Sequence, residues 1–507
     1  MNNKSVLLIY PPLGSDDIFI RDIPLSLLYA ATLSVKNGYH IEILDLRICK
    51  DFRGTLIKRI AKGDILLVGI SVLTGNPIKY AIEITDIIKS FRREIKIVWG
   101  GHHSTMEPES TMGFKKIDFL IRGFGSKPLK KLIEQLFNDT NNFSEIQGLT
   151  YRDGDKIISN DIETEWEIIN YKDIPYHLIE NNLVNYSRFK GRDRTFPIFT
   201  SMGCPYKCSF CMAPLLYKNF KRKIIYFDID EVIEHIKFLI ERYNATEISI
   251  YDDDSFVDIK RMEYFFKRII GEDIRIKIDF RGIRIDELYR LDNNFLELMR
   301  KAGVRHFQVG LESGSQKVLD ILNKNIKIEQ IIEVNRRLID YKELVPLYNL
   351  MTGIPGETIA ELKATRDLVL KLYNENPNCI IGFPAKFKPL PGTELYKIAV
   401  KDYNLRKIDT LSEWAKIDTA ETDLYFPWYT RECNNYIKMF QVVSFFIDKK
   451  ILREIECTSV INKILRIIAI LYRPVALFRL KHNITLLNIE YFLYTLIRRA
   501  IQKIRYL

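Results

Sequence analysis

No run of about 18 or more apolar residues occurs in the chain, which argues against a membrane-spanning helix. Signal-peptide character is lacking as well. The apolar opening "SVLLIY" stops at Pro11-Pro12 and reads as a first strand, so no secretion is expected. Cysteine is sparse, with seven in 507 residues and no framework spacing, which excludes a disulfide scaffold and fits a reducing compartment, the cytoplasm. Internal repeats and low-complexity segments are absent. The net charge of +11 does not mark a nucleic-acid binder, because residues 451–507 hold ten Lys or Arg against three Asp or Glu. That segment carries most of the excess, and no nucleic-acid partner is expected. What remains, with 47% hydrophobic and 28% charged residues, is a globular chain with room for two or three domains.

Residues 1–150 alternate apolar strand patterns, "SVLLIYPP", "HIEILDL", "DILLVGISVL", "IKIVWGG" and "IDFLIRG", with helical ones such as "PIKYAIEITDIIKSFRR". Strands apolar on both faces predict a parallel sheet covered by helices, hence an N-terminal doubly wound, Rossmann-like α/β domain with ligands at its carboxyl strand ends. A hairpin, "GLTYRDGDKIISN", and a polar connector fill the region up to residue 193. Residues 194–400 resume with six candidate strands, "PIFTS", "EISIYDDD", "IKIDFRGIR", "HFQVGLES", "VPLYNLMTG" and "CIIGFPAKF", which predict a partial (β/α)6 barrel. Residues 401–507 read as helical, rich in Ile, Leu, Phe, Lys and Arg.

The stretch "TSMGCPYKCSFCMAP" follows the first barrel strand and sets Cys204, Cys208 and Cys211 in a C-x3-C-x2-C pattern. A structural zinc site takes four ligands, usually as two separated pairs. Here the nearest further candidates are His177, His235 and Cys379. A four-iron cluster held by three thiolates keeps one iron free of protein ligands, and that iron can bind a substrate. A zinc knuckle or a set of core cysteines is the bland alternative.

With Phe210 one place before the last cysteine, the stretch resembles the radical S-adenosylmethionine (SAM) enzymes, whose signature is C-x3-C-x-aromatic-C. The resemblance implies a [4Fe-4S] cluster on Cys204, Cys208 and Cys211. It further implies SAM bound at the free iron, reductive cleavage to a 5′-deoxyadenosyl radical, and a one-electron reductant such as flavodoxin or ferredoxin. "YDDDSF" is similar to the family's acidic strand end, which puts Asp253 or Asp254 toward the methionine ammonium. "RGIRID" and "VGLESGSQ" place Arg284 and Glu312 at family positions near the ribose and carboxylate, with a barrel-interior ion pair as the alternative for each. "MTGIPGET" resembles the glycine-rich turn at the adenine, with Gly353 and Gly356; Gly392 and Thr393 in "PLPGTELY" read as structural.

In the first domain, "SVL" with Ser71 and Leu73, followed after 26 residues by Gly100-Gly101, resembles the S-x-L and Gly-Gly elements of cobalamin-binding domains. The resemblance implies that Ser71, Leu73, Gly100 and Gly101 receive the nucleotide tail of cobalamin. The D-x-H-x-x-G motif that supplies a lower cobalt ligand in many such domains is missing, since residues 15–31 contain no histidine. This departure is common in the cobalamin-dependent radical SAM subclass. His103 follows the Gly-Gly pair and reads as a loop residue rather than a cobalt ligand. "RGFGSKP" (122–128) stands where relatives carry Gly-Glu-Gly-Glu.

The resemblance implies a radical methyltransferase that methylates an unactivated carbon of a small-molecule, lipid or peptide substrate. The alternatives are cyclisation, rearrangement or oxidation without methyl transfer, or a non-catalytic metal-binding scaffold. No side chain is singled out as the substrate's catalytic acid or base. Methylthiolation is disfavoured, because the first half of the chain has only Cys49 for a second cluster. The basic tail, 451–507, reads either as a helical cap with its basic face in water, the preferred reading, or as a peripheral membrane contact.

Overall fold

A computed structural model describes residues 4–14, 17, 22–186, 194–417, 426–448, 460–485 and 488–496. In the first sheet β1 (Ser5–Tyr10), β2 (Ile41–Asp45), β3 (Ile65–Ser71), β4 (Lys96–Gly100) and β5 (Phe119–Ile121) run parallel in the order β2-β1-β3-β4-β5. Val6, Leu7, Leu8, Leu67, Val68, Ile97 and Val98 are all buried, so both faces of the sheet are covered by helices, as the continuous apolar runs require. The hairpin expected as part of the connector is instead built into this sheet. Its strands β6 (Leu149–Asp153) and β7 (Lys156–Ser159) extend the sheet antiparallel beyond β5. The reason is hydrophobic, since Leu149 packs with Phe119, Leu129, Leu132 and Ile146 in one buried cluster.

The second sheet consists of β8 (Thr195–Ile198), then, after the short antiparallel pair β9 (Ser201–Gly203) and β10 (Ile224–Tyr226), β11 (Glu247–Ile250), β12 (Lys277–Arg284), β13 (Val304–Glu312), β14 (Val345–Thr352) and β15 (Ile380–Lys386). Its six strands are parallel and lie in sequence order. This is the partial (β/α)6 barrel. Among the described residues β8 and β15 are its two edges. Pro197 suits β8 to an edge, because proline donates no ladder hydrogen bond. At the other edge the helix Arg431–Ile447 lies along β15. The Gln441 amide donates to the Pro384 carbonyl at 2.9 Å, and Asp448 accepts from the Ile381 N–H at 2.8 Å.

The C-terminal region is helical, and its basic residues divide, with Lys463 and Lys481 exposed and two arginines turned inward. The helix Val460–His482 packs through Ala469, Ala476 and Leu480. Arg473 turns inward to the Ile447 carbonyl and the Tyr373 hydroxyl, and Arg479 is buried against Glu490. Ile447 ends its helix with a carbonyl that has no partner within the helix, and a guanidinium is a suitable donor for it.

Candidate active site

The loop from Cys204 to Cys211 leaves β9 and is clamped to the barrel from several sides. The Ser209 N–H and hydroxyl donate to the Leu322 and Ile321 carbonyls at 3.0 and 2.9 Å, and the Ser209 carbonyl accepts from the Leu395 N–H at 2.8 Å. Asn323 donates to the Lys207 carbonyl at 2.7 Å, and the Cys211 N–H closes a turn on the Cys208 carbonyl at 3.1 Å. The three thiols are half-buried. Burial pushes the Cys204 thiol well up and Cys211 up to about 11. Thiols raised in this way bind as thiolates only when a metal's positive charge displaces their protons. Three thiols carried on one short loop, with no fourth ligand beside them in the sequence, fit a four-iron cluster better than a tetrahedral zinc.

Charged side chains surround this loop in pairs. Lys324 and Glu312, both buried, meet at 2.9 Å, and the Lys324 ammonium lies 5.8 Å from the centre of the Phe210 ring. Burial pulls the Lys324 pKa down, but Glu312 and the Cys208 thiolate outweigh it and hold the ammonium above its ordinary value. Gly310 makes room for the pair, because a Cβ there would come within 2.5 Å of both the Lys324 and Glu312 side chains. Glu312 itself sits at φ +66° where β13 slips register, a conformation that costs a non-glycine residue about 1–3 kcal/mol. Arg284 reaches Asp286 at 2.9 Å, lies 3.8 Å over the Tyr206 ring and donates to the Cys208 sulfur at 3.5 Å. Arg284 and Glu312 thus both occur in ion pairs beside the cysteine loop.

The three acids after β11 diverge. Asp252 is buried and accepts from the Thr200 N–H, the Thr200 hydroxyl and the Ser201 hydroxyl at 2.7, 2.5 and 2.8 Å. Asp254 is buried as well. Burial and the neighbouring Glu287 carboxyl push its pKa well up, while Glu287 accepts from the Tyr206 hydroxyl at 2.8 Å. Asp253 alone is exposed; it accepts from the Gly203 N–H at 2.9 Å. Of the two acids expected at the methionine ammonium, Asp253 is therefore the one a ligand can reach.

After β14, Gly353 (φ +89°) and Gly356 (φ +82°) form the predicted turn. A Cβ on Gly356 would stand 2.6 Å from the Tyr403 hydroxyl, and one on Gly353 would stand 3.3 Å from the Phe426 ring. The turn is pinned by Glu357, which accepts from the Gly353 N–H at 2.8 Å and from the Tyr429 hydroxyl at 2.7 Å. Burial raises the Glu357 carboxyl to about 7. Thr393 caps the helix Glu394–Asp402, and Gly392 turns the chain ahead of it at φ +72°, the structural parts expected of them.

In the first domain Ser71 ends β3 directly opposite Gly100 on β4, and Leu73 follows half-buried. The two glycines differ. Gly101 (φ +96°) lies so close to Val72 that a Cβ would meet its carbonyl oxygen at 2.8 Å, whereas a Cβ on Gly100 would meet nothing nearer than 3.7 Å. The fold requires Gly101. Gly100 has room for a Cβ, which would touch only Ile121, and it stands at the carboxyl strand ends where ligands of such sheets sit. His103 is wholly buried; its Nδ1 meets the Thr74 hydroxyl at 3.2 Å, and burial lowers its pKa to about 4. The adjacent His102 is the exposed one. The surrounding protein mass pushes its pKa down while the Asp253 carboxylate across the cleft opposes that shift. At the position of the missing Gly-Glu-Gly-Glu acids, the connector contributes Glu167, a buried carboxyl whose pKa is raised by burial.

Tyr251, directly after β11, and Arg281 of β12 both bond to Asp22, which follows β1, with Arg281 at 3.2 Å, so the strand ends of the two sheets face each other. Sequence reasoning passed over His102, Lys324, Glu287 and Glu357. Only Glu357 carried a local signal, inside "GIPGET".

Two family models match along the chain, the B12 binding domain over residues 23–133 and the radical SAM superfamily over residues 198–369. The chain thus carries a B12 binding domain followed by a radical SAM domain. It is 26% identical to an uncharacterized methyltransferase of Pyrococcus horikoshii over 89% of its own length and 94% of that protein. It is 25% identical to an anaerobic magnesium-protoporphyrin IX monomethyl ester cyclase of Cereibacter sphaeroides over 61% of its own length and 50% of that protein. In fold it is similar to the cobalamin-dependent SAM radical enzyme OxsB with aqua-cobalamin and SAM bound (TM-score 0.65, 18% identity, 94% of this chain and 72% of that one). It also resembles the radical SAM methyltransferase TsrM of Kitasatospora setae with cobalamin and a [4Fe-4S] cluster bound (TM-score 0.63, 19% identity, 80% of this chain and 79% of that one). The two matched domains point to SAM and cobalamin as the cofactors of a radical SAM enzyme.

Proposed function

We propose that this radical SAM enzyme transfers a methyl group to an unactivated carbon of its substrate. When bound, the cluster and SAM supply hydrogen-atom abstraction, and cobalamin supplies the methyl group. In this reading Cys204, Cys208 and Cys211 hold the cluster, and the clamps on Ser209 and Lys207 keep their loop in register. Asp253 accepts the methionine ammonium of SAM; Arg284 and Glu312, each already paired, orient its polar groups, and Phe210, Gly353 and Gly356 shape the surrounding wall. Ser71, Leu73, Gly100 and Gly101 take the tail of cobalamin. The connector closes one side of the space between the domains. There Trp166 packs on Tyr217 and Phe220, with Phe124 of the first domain against both Trp166 and Phe220. Such an aromatic wall keeps water from the reacting atoms.

The observation that carries this reading is the contact of Arg281 with Asp22 at 3.2 Å, which brings the two carboxyl strand ends to one cleft. The resemblance to a relative named as a methyltransferase supports the same reaction. The test is anaerobic turnover of the reconstituted protein with SAM labelled in its methyl group and a flavodoxin or ferredoxin reductant. The expected result is 5′-deoxyadenosine together with a product that carries the label. Reduced protein that leaves SAM intact would overturn the proposal. A second reading, ring closure without methyl transfer, draws support from the similarity to three anaerobic cyclases; it predicts 5′-deoxyadenosine with an unlabelled product.

A further inference from the structure

We infer that the C-terminal helices form a docking face for an anionic lipid surface. This inference stands apart from the reaction proposed above. On the helix Val460–His482, Ile464, Ile467, Ile468, Leu471, Val475 and Phe478 recur at intervals of three and four residues, so they form one stripe. All six are exposed, Leu471 by 71%. The following helix, 489–496, repeats the pattern with Ile489, Phe492, Leu493 and Leu496, each at least 44% exposed. A globular surface normally scatters its large apolar side chains singly. Here they are gathered in two consecutive helices whose opposite faces are fixed to the protein by Ala476, Leu480, Arg479–Glu490 and a bond from Asn488 to the Asn435 carbonyl.

The charge pattern selects the occupant. Residues 457–507 contain nine Lys or Arg and a single acid, Glu490. Glu490 is taken by Arg479 and the Tyr472 hydroxyl, so it offers no negative charge to a partner. Lys463 and Lys481 are exposed and flank the stripe on one side. Arg498, Arg499, Lys503 and Arg505 follow in the sequence, outside the described residues. An apolar stripe edged by cations, on a helix too polar to cross a bilayer, is the pattern of a helix lying in the plane of a membrane with its apolar face among the acyl chains and its cations at acidic headgroups.

The test is flotation of the full chain with vesicles of phosphatidylglycerol and phosphatidylcholine, beside vesicles of phosphatidylcholine alone and beside high salt. The expected result is flotation with the anionic vesicles, weakened by salt. The triple variant Ile467→Glu, Leu471→Glu, Phe478→Glu changes only exposed side chains; it should melt as the native chain does and lose flotation by about tenfold or more. The pair Lys463→Glu, Lys481→Glu should weaken flotation with anionic vesicles. The inference is overturned if the native chain stays at the bottom of the gradient with both vesicles, or if the folded triple variant floats equally. It is also overturned if light scattering finds a dimer in solution that the triple variant dissociates, since a second copy then covers the face.

Discussion

The two sheets present their carboxyl ends to one cleft, yet they line it by opposite means. The barrel end is dense with charge arranged in pairs, Lys324 with Glu312 and Arg284 with Asp286, beside the Asp254 and Glu287 carboxyls. The end of the first sheet offers a serine, a leucine, two glycines and a buried histidine kept neutral by its surroundings. On the proposed function the difference follows from what each would hold. A small zwitterion and a metal cluster are stabilised by dipoles and ions fixed in advance, and buried ions are tolerable only when compensated in place. A bulky cofactor tail needs volume first, and volume comes from residues that leave space unfilled.

Substitutions at the barrel end should therefore be severe and those at the first sheet graded. Replacing Cys204, Cys208 and Cys211 together with Ala should abolish cluster absorbance and 5′-deoxyadenosine formation, read by visible spectroscopy and chromatography. Lys324→Met strands Glu312 as a buried, unpaired carboxylate and should cost about 3–5 kcal/mol in denaturant unfolding. Adding Glu312→Gln should recover much of that loss, whereas a mere packing role for Lys324 predicts no recovery.

Glu357 gives the next largest effect, and it depends on pH. Its carboxyl titrates near 7 in the folded chain because of burial, above the ordinary carboxylate range it has when unfolded. Between those two values the folded state binds more protons, so stability is greatest at the acidic end and falls as pH rises toward 7. Relative to Glu357→Gln, the native chain should lose about 3 kcal/mol between roughly pH 4 and pH 8, measured by unfolding at each pH. Identical pH profiles for the two proteins would remove the buried acid from the account.

The smallest and most discriminating pair lies in the first domain. Gly101→Ala forces a side chain onto the Val72 backbone at positive φ and should destabilise by about 1–3 kcal/mol. Gly100→Ala should change stability by less than about 0.5 kcal/mol, yet weaken retention of cobalamin on gel filtration. If both variants bound cobalamin as the native chain does, the site of its tail would lie elsewhere.

The sequence disclosed the architecture because parallel strands buried on both faces must be apolar along their length, as "LLVGI" and "IVWG" are. It disclosed the cysteine loop because metal ligation constrains local spacing. It could not disclose the partners of the charges. Lys324 meets Glu312 only after the chain has passed through the helix Gln316–Ile321. Nor could it tell His102 from its neighbour: the two are adjacent, and only the rotation of the short helix His102–Met106 turns one to the cleft and the other to the core. The tail's sequence showed its mixture of apolar and basic residues but not which side would face out. That was set by which side Ala469, Ala476 and the inward arginines could occupy.

The outermost barrel strand is finished by side chains. Gln441 and Asp448 occupy bonding positions that a seventh strand would otherwise claim, so the wall ends in groups that no second molecule can extend. A chain cut short before this helix would bare a ready template for intermolecular strand pairing, and it should be lost to aggregation before the fate of its chemistry could be judged.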